Sequence, residues 1–175
     1  SYHNKLTSKE KKFAVSLANH VFIGLPSRVL TGDSKSNVIY GVYKWYRQYL
    51  NDKGDKSKAL QVHNKLVNLN DDNLNNFKAE ILVDSYFRTG WGVRWEREDW
   101  KEALLDFNKA LEYLEFTNQD NEANPKMFFE DISKAKILKQ RGFAKIIIDL
   151  GKNIPPEKSL GCDDLRTASN LDSEY

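Results

Sequence analysis

The segment from Glu98 to Glu115 constrains the fold most strongly, because it is an amphipathic helix with small residues on its apolar face. Its sequence, EDWKEALLDFNKALEYLE, places Ala103, Phe107 and Ala110 at intervals of four and three residues. These intervals put all three side chains on one face of a helix. The two alanines leave room beside Phe107 for the backbone of another helix, so the pattern predicts close helix-on-helix packing.

Helical spacing of apolar residues recurs along the chain and predicts an all-α protein. Thr7 to Glu10 has the form of a capping box and should begin the first helix. Further helices are expected over residues 36–51, from Asp55 to about Leu69, from Asp72 to about Tyr86, and from Asn124-Pro125 to Leu150. No convincing strand pattern occurs. We expect antiparallel helical hairpins arranged as a short superhelix or a compact helical bundle.

The apolar pattern stops after Gly151, and this change sets the predicted domain boundary. Pro155-Pro156 blocks a helix, and the residues that follow are mostly polar with scattered leucines. A chain of 175 residues is most simply one domain with a single core. We therefore predict one helical domain over residues 1–151 and a loosely ordered polar tail over residues 152–175.

Ala103, Phe107 and Ala110 also resemble the second helix of a tetratricopeptide repeat. That family's unit of about 34 residues is a helix–turn–helix with small residues where its two helices cross. On this alignment the first helix would begin near Asp84, with Phe87 near the family's aromatic position. Trp91 takes the position where the family has a small residue. The resemblance implies stacked antiparallel helices that bind other macromolecules.

An earlier stretch is similar to the same repeat more faintly. Tyr43, Gly54 and Ala59 match the family pattern, and Ala59 precedes Ala103 by 44 residues rather than 34. The resemblance therefore covers about half of the chain and implies an irregular array.

The composition bears on the cellular location of the protein. Hydrophobic residues make up 40% of the chain, charged residues make up 30%, and the mean hydropathy is −0.66. No apolar run approaches the roughly 20 residues that a membrane-spanning helix needs. The single cysteine, Cys162, allows neither an internal disulfide nor a cysteine-based zinc site. We expect an intracellular, cytoplasmic location and no membrane partner.

No arrangement of residues in the sequence points to catalysis. His3, His20 and His63 are far apart, and no nucleophile elbow, phosphate-binding loop or zinc-protease motif occurs. Four carboxylates cluster before or within the central helix, at Glu96, Glu98, Asp99 and Glu102. Negative charge at a helix N-terminus explains them, because it is stabilised there by the helix dipole. We expect no enzyme activity, no metal and no cofactor.

The leading functional hypothesis is a scaffold or adaptor that binds a peptide or a partner helix. Stacked helical hairpins expose a groove lined by side chains of their first helices. The residues expected to line this groove are Arg88, Trp91, Arg94 and Trp95.

The alternative hypothesis is a helical nucleic-acid-binding subunit of a ribonucleoprotein. Residues 1–60 carry 11 lysines and arginines against 4 carboxylates, a strongly basic balance. Aromatic and basic side chains on one helical face can hold a single strand by stacking and by charge. The candidates are Tyr40, Lys44 and Arg47 on one helix, and Lys134, Lys136, Lys139 and Arg141 on the last helix.

Overall fold

The computed structural model describes residues 33–69, 73–119 and 132–172, together with the helical residues Ser8, Lys12 and Ser16. Residues 33–172 of this part contain helices and no strand, so the all-α prediction is confirmed. The α-helices are α1 (Asp33–Asp52), α2 (Lys56–Val67), α3 (Asn76–Arg88), α4 (Trp100–Gln119), α5 (Lys134–Leu150) and α6 (Gly161–Asp172). A π-helix over Thr89–Arg94 continues α3, and a 3-10 turn over Pro156–Lys158 precedes α6. The predicted helix start at Asn124-Pro125 lies outside the described residues.

The chain divides into two compact units, one over residues 1–81 and one over residues 82–175. We expected a single domain up to residue 151, and the structure instead places a boundary inside α3. The apolar periodicity of a continuous helix does not reveal such a boundary, because each half of the helix can pack into a different core.

In the first unit, α1 packs against α2. The turn between them ends at Asp55, whose side chain accepts a hydrogen bond from the Lys58 backbone N–H at 3.1 Å and so caps α2. Aromatic and aliphatic residues of both helices form the buried layer, namely Ile39, Tyr40, Tyr43, Tyr46, Leu50, Ala59, Val62 and Leu66. In the sequence, Ile39, Tyr43, Tyr46 and Leu50 recur at helical spacing, which indicates this buried face of α1.

In the second unit, consecutive helices pack against each other in an antiparallel series. The π-helix contacts α4, α4 contacts α5, and α5 contacts α6. The direction follows from two polar pairs: Lys134 lies 3.6 Å from Glu115, and Arg141 donates to Asn108 at 3.1 Å. Moving forward along α5 therefore means moving backward along α4.

The contact between the π-helix and α4 depends on small residues. Ala103, Phe107 and Ala110 are fully buried, as their spacing predicted. A Cβ atom added to Gly90 would lie 3.0 Å from the Phe107 ring and 3.3 Å from the Ala103 carbonyl oxygen. The repeat alignment put Trp91 at the family's small-residue position, but the small residue at this contact is Gly90. A π-helix takes more residues per turn than an α-helix, so it shifts which side chain faces the neighbour.

The contact between α5 and α6 is closer still. A Cβ atom on Gly161 would approach the Gly142 carbonyl oxygen too closely for any real contact, and a Cβ on Gly142 would lie 2.8 Å from the Gly161 carbonyl oxygen. Both glycines are buried. The two helix backbones therefore meet directly, without an intervening side chain.

This contact corrects the expected loosely ordered tail. Residues 161–172 form α6, and Ala168 is buried in the same core as Ala103 and Phe107. The sequence argument failed because the surface that α6 buries is made by backbone and alanine as much as by large apolar side chains. Few bulky apolar residues are then needed to hold the helix.

We predict that Gly161→Ala destabilises the protein by about 1–3 kcal/mol, because the new methyl group must push apart two helix backbones. Gly92→Ala is the matched control, since a Cβ at Gly92 meets nothing within 4 Å. That variant should be neutral or slightly more stable, because alanine restricts the unfolded chain more than glycine does. Urea unfolding of both variants checks this, and equal stabilities would contradict the close contact.

Candidate protein-binding surface

All four residues expected to line a groove make contacts within the second unit. Arg88 forms an ion pair with the buried Asp84 one turn earlier. The Trp95 ring packs edge-on against Trp100, with centroids 4.8 Å apart. The Trp91 and Phe87 rings also pack together, with centroids 6.0 Å apart, but Trp91 remains 46% exposed. Of this set, Trp91 is the residue that presents a large apolar surface to solvent.

Arg94 ties the π-helix to α4. Its guanidinium lies 3.5 Å from a carboxylate oxygen of Asp99, 3.9 Å from Glu102 and 3.5 Å from Asp106. The Arg94 side chain is only 17% exposed. Two of these carboxylates belong to the acidic cluster noticed in the sequence. Their role in the structure is to hold Arg94, so the guanidinium is a packing element more than a groove residue.

The Asp106 side chain is buried at this contact. Burial raises the pKa of Asp106 to about 7, which outweighs the lowering effect of Arg94. The negative charges of Glu102 and Asp99 raise it further. Asp106 therefore changes its charge near neutral pH at the contact between the π-helix and α4.

The first predicted nucleic-acid site does not form an exposed face. Tyr40 is 3% exposed and Arg47 is 1% exposed, so neither can stack on a base or meet a phosphate. The Lys78 ammonium lies 5.9 Å from the centroid of the Tyr40 ring. Lys44 is half-buried. On α1, Tyr40 and Arg47 lie beside the buried face that contains Tyr43. The expectation failed because the buried surface of α1 extends to these neighbouring positions.

The second predicted nucleic-acid site is divided between two sides of α5. Arg141 donates two hydrogen bonds to Asp164 of α6, at 2.6 and 2.7 Å, and Lys145 lies 2.9 Å from the same carboxylate. Burial alone would raise the pKa of Asp164, but these hydrogen bonds and positive charges lower it below its usual value. Arg141 is therefore engaged in joining α6 to α5.

Lys134, Lys136 and Lys139 complete this second site. Lys134 is exposed and pairs with Glu115 at 3.6 Å. Lys136 is half-buried and Lys139 is exposed. By helical spacing Lys136 and Lys139 lie on the side of α5 opposite to Arg141 and Lys145.

That opposite side of α5 carries the feature that the sequence analysis missed. Phe143, Ile147 and Leu150 follow Lys139 at helical spacing and share its face. Phe143 is 39% exposed and Leu150 is 49% exposed, while Ile147 is half-buried. We call these three residues the α5 stripe. The helical spacing of these three residues is visible in the sequence. Such spacing is ordinarily taken to mark a buried face, whereas here it marks a largely exposed one.

A shallow cleft adjoins the α5 stripe. It has a volume of about 410 Å³ and lies between the beginning of α4 and the end of α5. Trp100 of α4 and Ile147 and Ile148 of α5 supply its apolar walls. Gly151 and four charged residues of both signs complete the lining, the charged ones being Glu98, Asp99, Lys101 and Lys152. Because Ile147 belongs to both features, stripe and cleft form one continuous surface, which we call the stripe–cleft surface.

The described part of the chain contains neither a membrane-spanning helix nor a clustered metal site. None of its helices is both long enough and apolar enough to cross a membrane. No group of three or more histidine, cysteine, aspartate or glutamate side chains there is placed to hold a metal ion.

Comparison with known proteins places the chain in no family. No family model, no curated protein and no solved structure matches it.

We predict that Asp106 makes stability fall as pH rises from about 4 to about 7. An aspartate in the unfolded chain ionises near pH 4, whereas folded Asp106 keeps its proton until about pH 7. The native state thus binds the extra proton in this interval, and the slope of unfolding free energy with pH is negative. Its size is at most about 4 kcal/mol, since one pKa unit corresponds to about 1.4 kcal/mol.

Urea unfolding at about pH 5 and about pH 8 measures this slope. Asp106→Asn should reduce it, because the amide does not ionise. Asp163→Asn, at an exposed position on α6, should keep the slope of the original protein. An unchanged slope in Asp106→Asn would contradict the proposed titration.

Proposed function

We propose that this protein is a non-enzymatic interaction module that binds a peptide or helix of another protein on the stripe–cleft surface. The main observation in support is the α5 stripe, in which three apolar side chains share one helical face and two of them are exposed. Exposed apolar side chains that adjoin one another commonly mark binding sites in folded proteins. An amphipathic segment that covered this face would remove it from water.

The shape of the surface suits an elongated partner. The α5 stripe follows the helix axis, and the cleft widens the surface on the side of α4. From Phe143 to Leu150 the axis advances by roughly 10 Å, or two helical turns. A partner helix that places apolar residues at i, i+3, i+4 and i+7 would match that length.

The proposal includes a tetratricopeptide-like arrangement of the second unit and an adaptor role inside the cell. The antiparallel series from the π-helix to α6 supports the arrangement, as does the close approach at Gly90 and Gly142. In such an arrangement Trp91 and the α5 stripe would belong to equivalent first helices of successive hairpins.

Nucleic acid is the less favoured partner. Burial of Tyr40 and Arg47 removes the stacking and phosphate-binding groups of the first candidate site. In the second candidate site, Arg141 is held by Asp164. The remaining exposed surface of α5 combines lysines with Phe143, Ile147 and Leu150. The two aliphatic side chains suit a protein partner better than a chain of phosphates.

Selection from a displayed library of helix-forming peptides, with the whole chain as bait, tests the proposal. A peptide of about 16 residues spans roughly 24 Å as a helix and can cover the stripe. We expect selected peptides to lose affinity by about tenfold or more in Phe143→Ala, because buried aromatic anchors dominate such interfaces.

Leu105→Ala is the matched control. Leu105 is 57% exposed on α4 and lies on the face opposite to Ala103 and Phe107. It offers a comparable apolar side chain outside the stripe–cleft surface, so its loss should leave the affinity unchanged. Selection of no peptide, or equal affinities for the two variants, would refute this binding surface.

A further inference from the structure

We infer that the partner segment is an acidic amphipathic helix whose carboxylates lie over the N-terminal half of α5. This inference rests on the proposed function and adds the chemistry of the partner. It follows from how the charges of α5 are distributed between its two sides.

The sequence of α5 is strongly basic. Its 17 residues include five lysines or arginines and a single carboxylate, Asp149. Neighbouring helices neutralise the side of α5 that faces away from the stripe: Asp164 of α6 binds Arg141 and Lys145, and Glu115 of α4 binds Lys134. The protein thus supplies partners for the basic residues on this side of the helix.

The side of α5 that carries the stripe is different. Lys139 is exposed and has no ion pair within the described part of the chain, and Lys136 lies one turn before it. No acidic residue of α5 shares this face, since Asp149 projects to the side and accepts a hydrogen bond from the Ser159 hydroxyl. The stripe therefore has at its N-terminal end one exposed lysine, Lys139, that no carboxylate of the described residues pairs.

The other end of the surface is electrically mixed. Lys101 and Glu98 both line the cleft and are exposed, and their opposite charges offset each other. Lys152 lies 3.9 Å from Asp149. Charge complementarity is consequently concentrated near Lys139, while Phe143, Ile147 and Leu150 supply apolar contacts farther along. A partner helix should match this order with carboxylates at one end and apolar residues over the following two turns.

Apolar contact decides between an acidic helix and a nucleic acid. A nucleic-acid strand could place phosphates near Lys136 and Lys139 and stack a base on Phe143. Ile147 and Leu150 would then face a charged backbone, and their apolar surface would stay in water. An acidic amphipathic helix can pair a carboxylate with Lys139 and cover the stripe at the same time.

The experiment uses the peptides obtained by display selection on the whole chain. We expect aspartate and glutamate to be enriched at one end of the selected peptides relative to the unselected library. Replacing those acids with glutamine should weaken binding, and raising the salt concentration should weaken binding of the original peptides more than that of the glutamine peptides.

Lys139→Glu gives the complementary change on the protein. It should weaken binding of the acidic peptides by roughly three- to tenfold, because one exposed attraction becomes a repulsion of similar size. Lys109→Glu is the control, since Lys109 is an exposed lysine that pairs with Glu112 on α4, away from the stripe. This control should bind as the original protein does.

Each outcome bears on a definite claim. Peptides that need Phe143 but are neutral or basic, or that tolerate Lys139→Glu, would overturn the acidic partner and leave the binding surface intact. Failure to obtain any peptide that needs Phe143 would overturn the proposed function itself. A labelled single-stranded DNA whose binding requires both Phe143 and Lys139 would overturn the acidic helix in favour of nucleic acid.

Discussion

Close approach of helix backbones at small residues is the constraint on which the second unit depends. At Gly142 and Gly161 the two helices meet with no side chain between them, and at Gly90 the π-helix comes against Ala103 and Phe107. Such contacts allow the helices to bury alanine and backbone instead of large side chains. The π-helix packs in the same way, because its wider turn brings Gly90 rather than Trp91 to the contact with α4.

This packing explains why apolar residues remain on the surface. α5 is covered by α4 on one side and by α6 on the other, and the close contact at Gly142 uses little of its apolar surface. The residues that α5 buries on its two packed sides are Ala135, Ile137, Leu138, Gly142 and Ala144. Phe143 and Leu150 are then left outside the described core. The same separation of sides leaves Lys139 without the carboxylate partners that hold Arg141.

The sequence predicted the positions of the helices better than it predicted which faces of those helices are buried. Helical spacing correctly identified α4 and the burial of Ala103, Phe107 and Ala110, because one buried face is enough to specify an amphipathic helix. It misassigned Tyr40 and Arg47, since spacing shows which residues share a face but not whether another helix covers it. It also missed α6, where glycine and alanine carry no hydrophobic signal. Spacing also does not show whether an apolar face is covered, so Phe143 could be identified as a surface residue only from its exposure in the structure.

The most direct test of the binding surface is a nuclear magnetic resonance titration of the whole chain with the tightest selected peptide. If the stripe–cleft surface is the binding site, backbone amide shifts should concentrate at Phe143, Ile147 and Leu150 and at Trp100 and Lys101 at the start of α4. Residues of the first unit should shift little. Shifts that centre on α1 and α2, or around Trp91 with none along α5, would contradict the account.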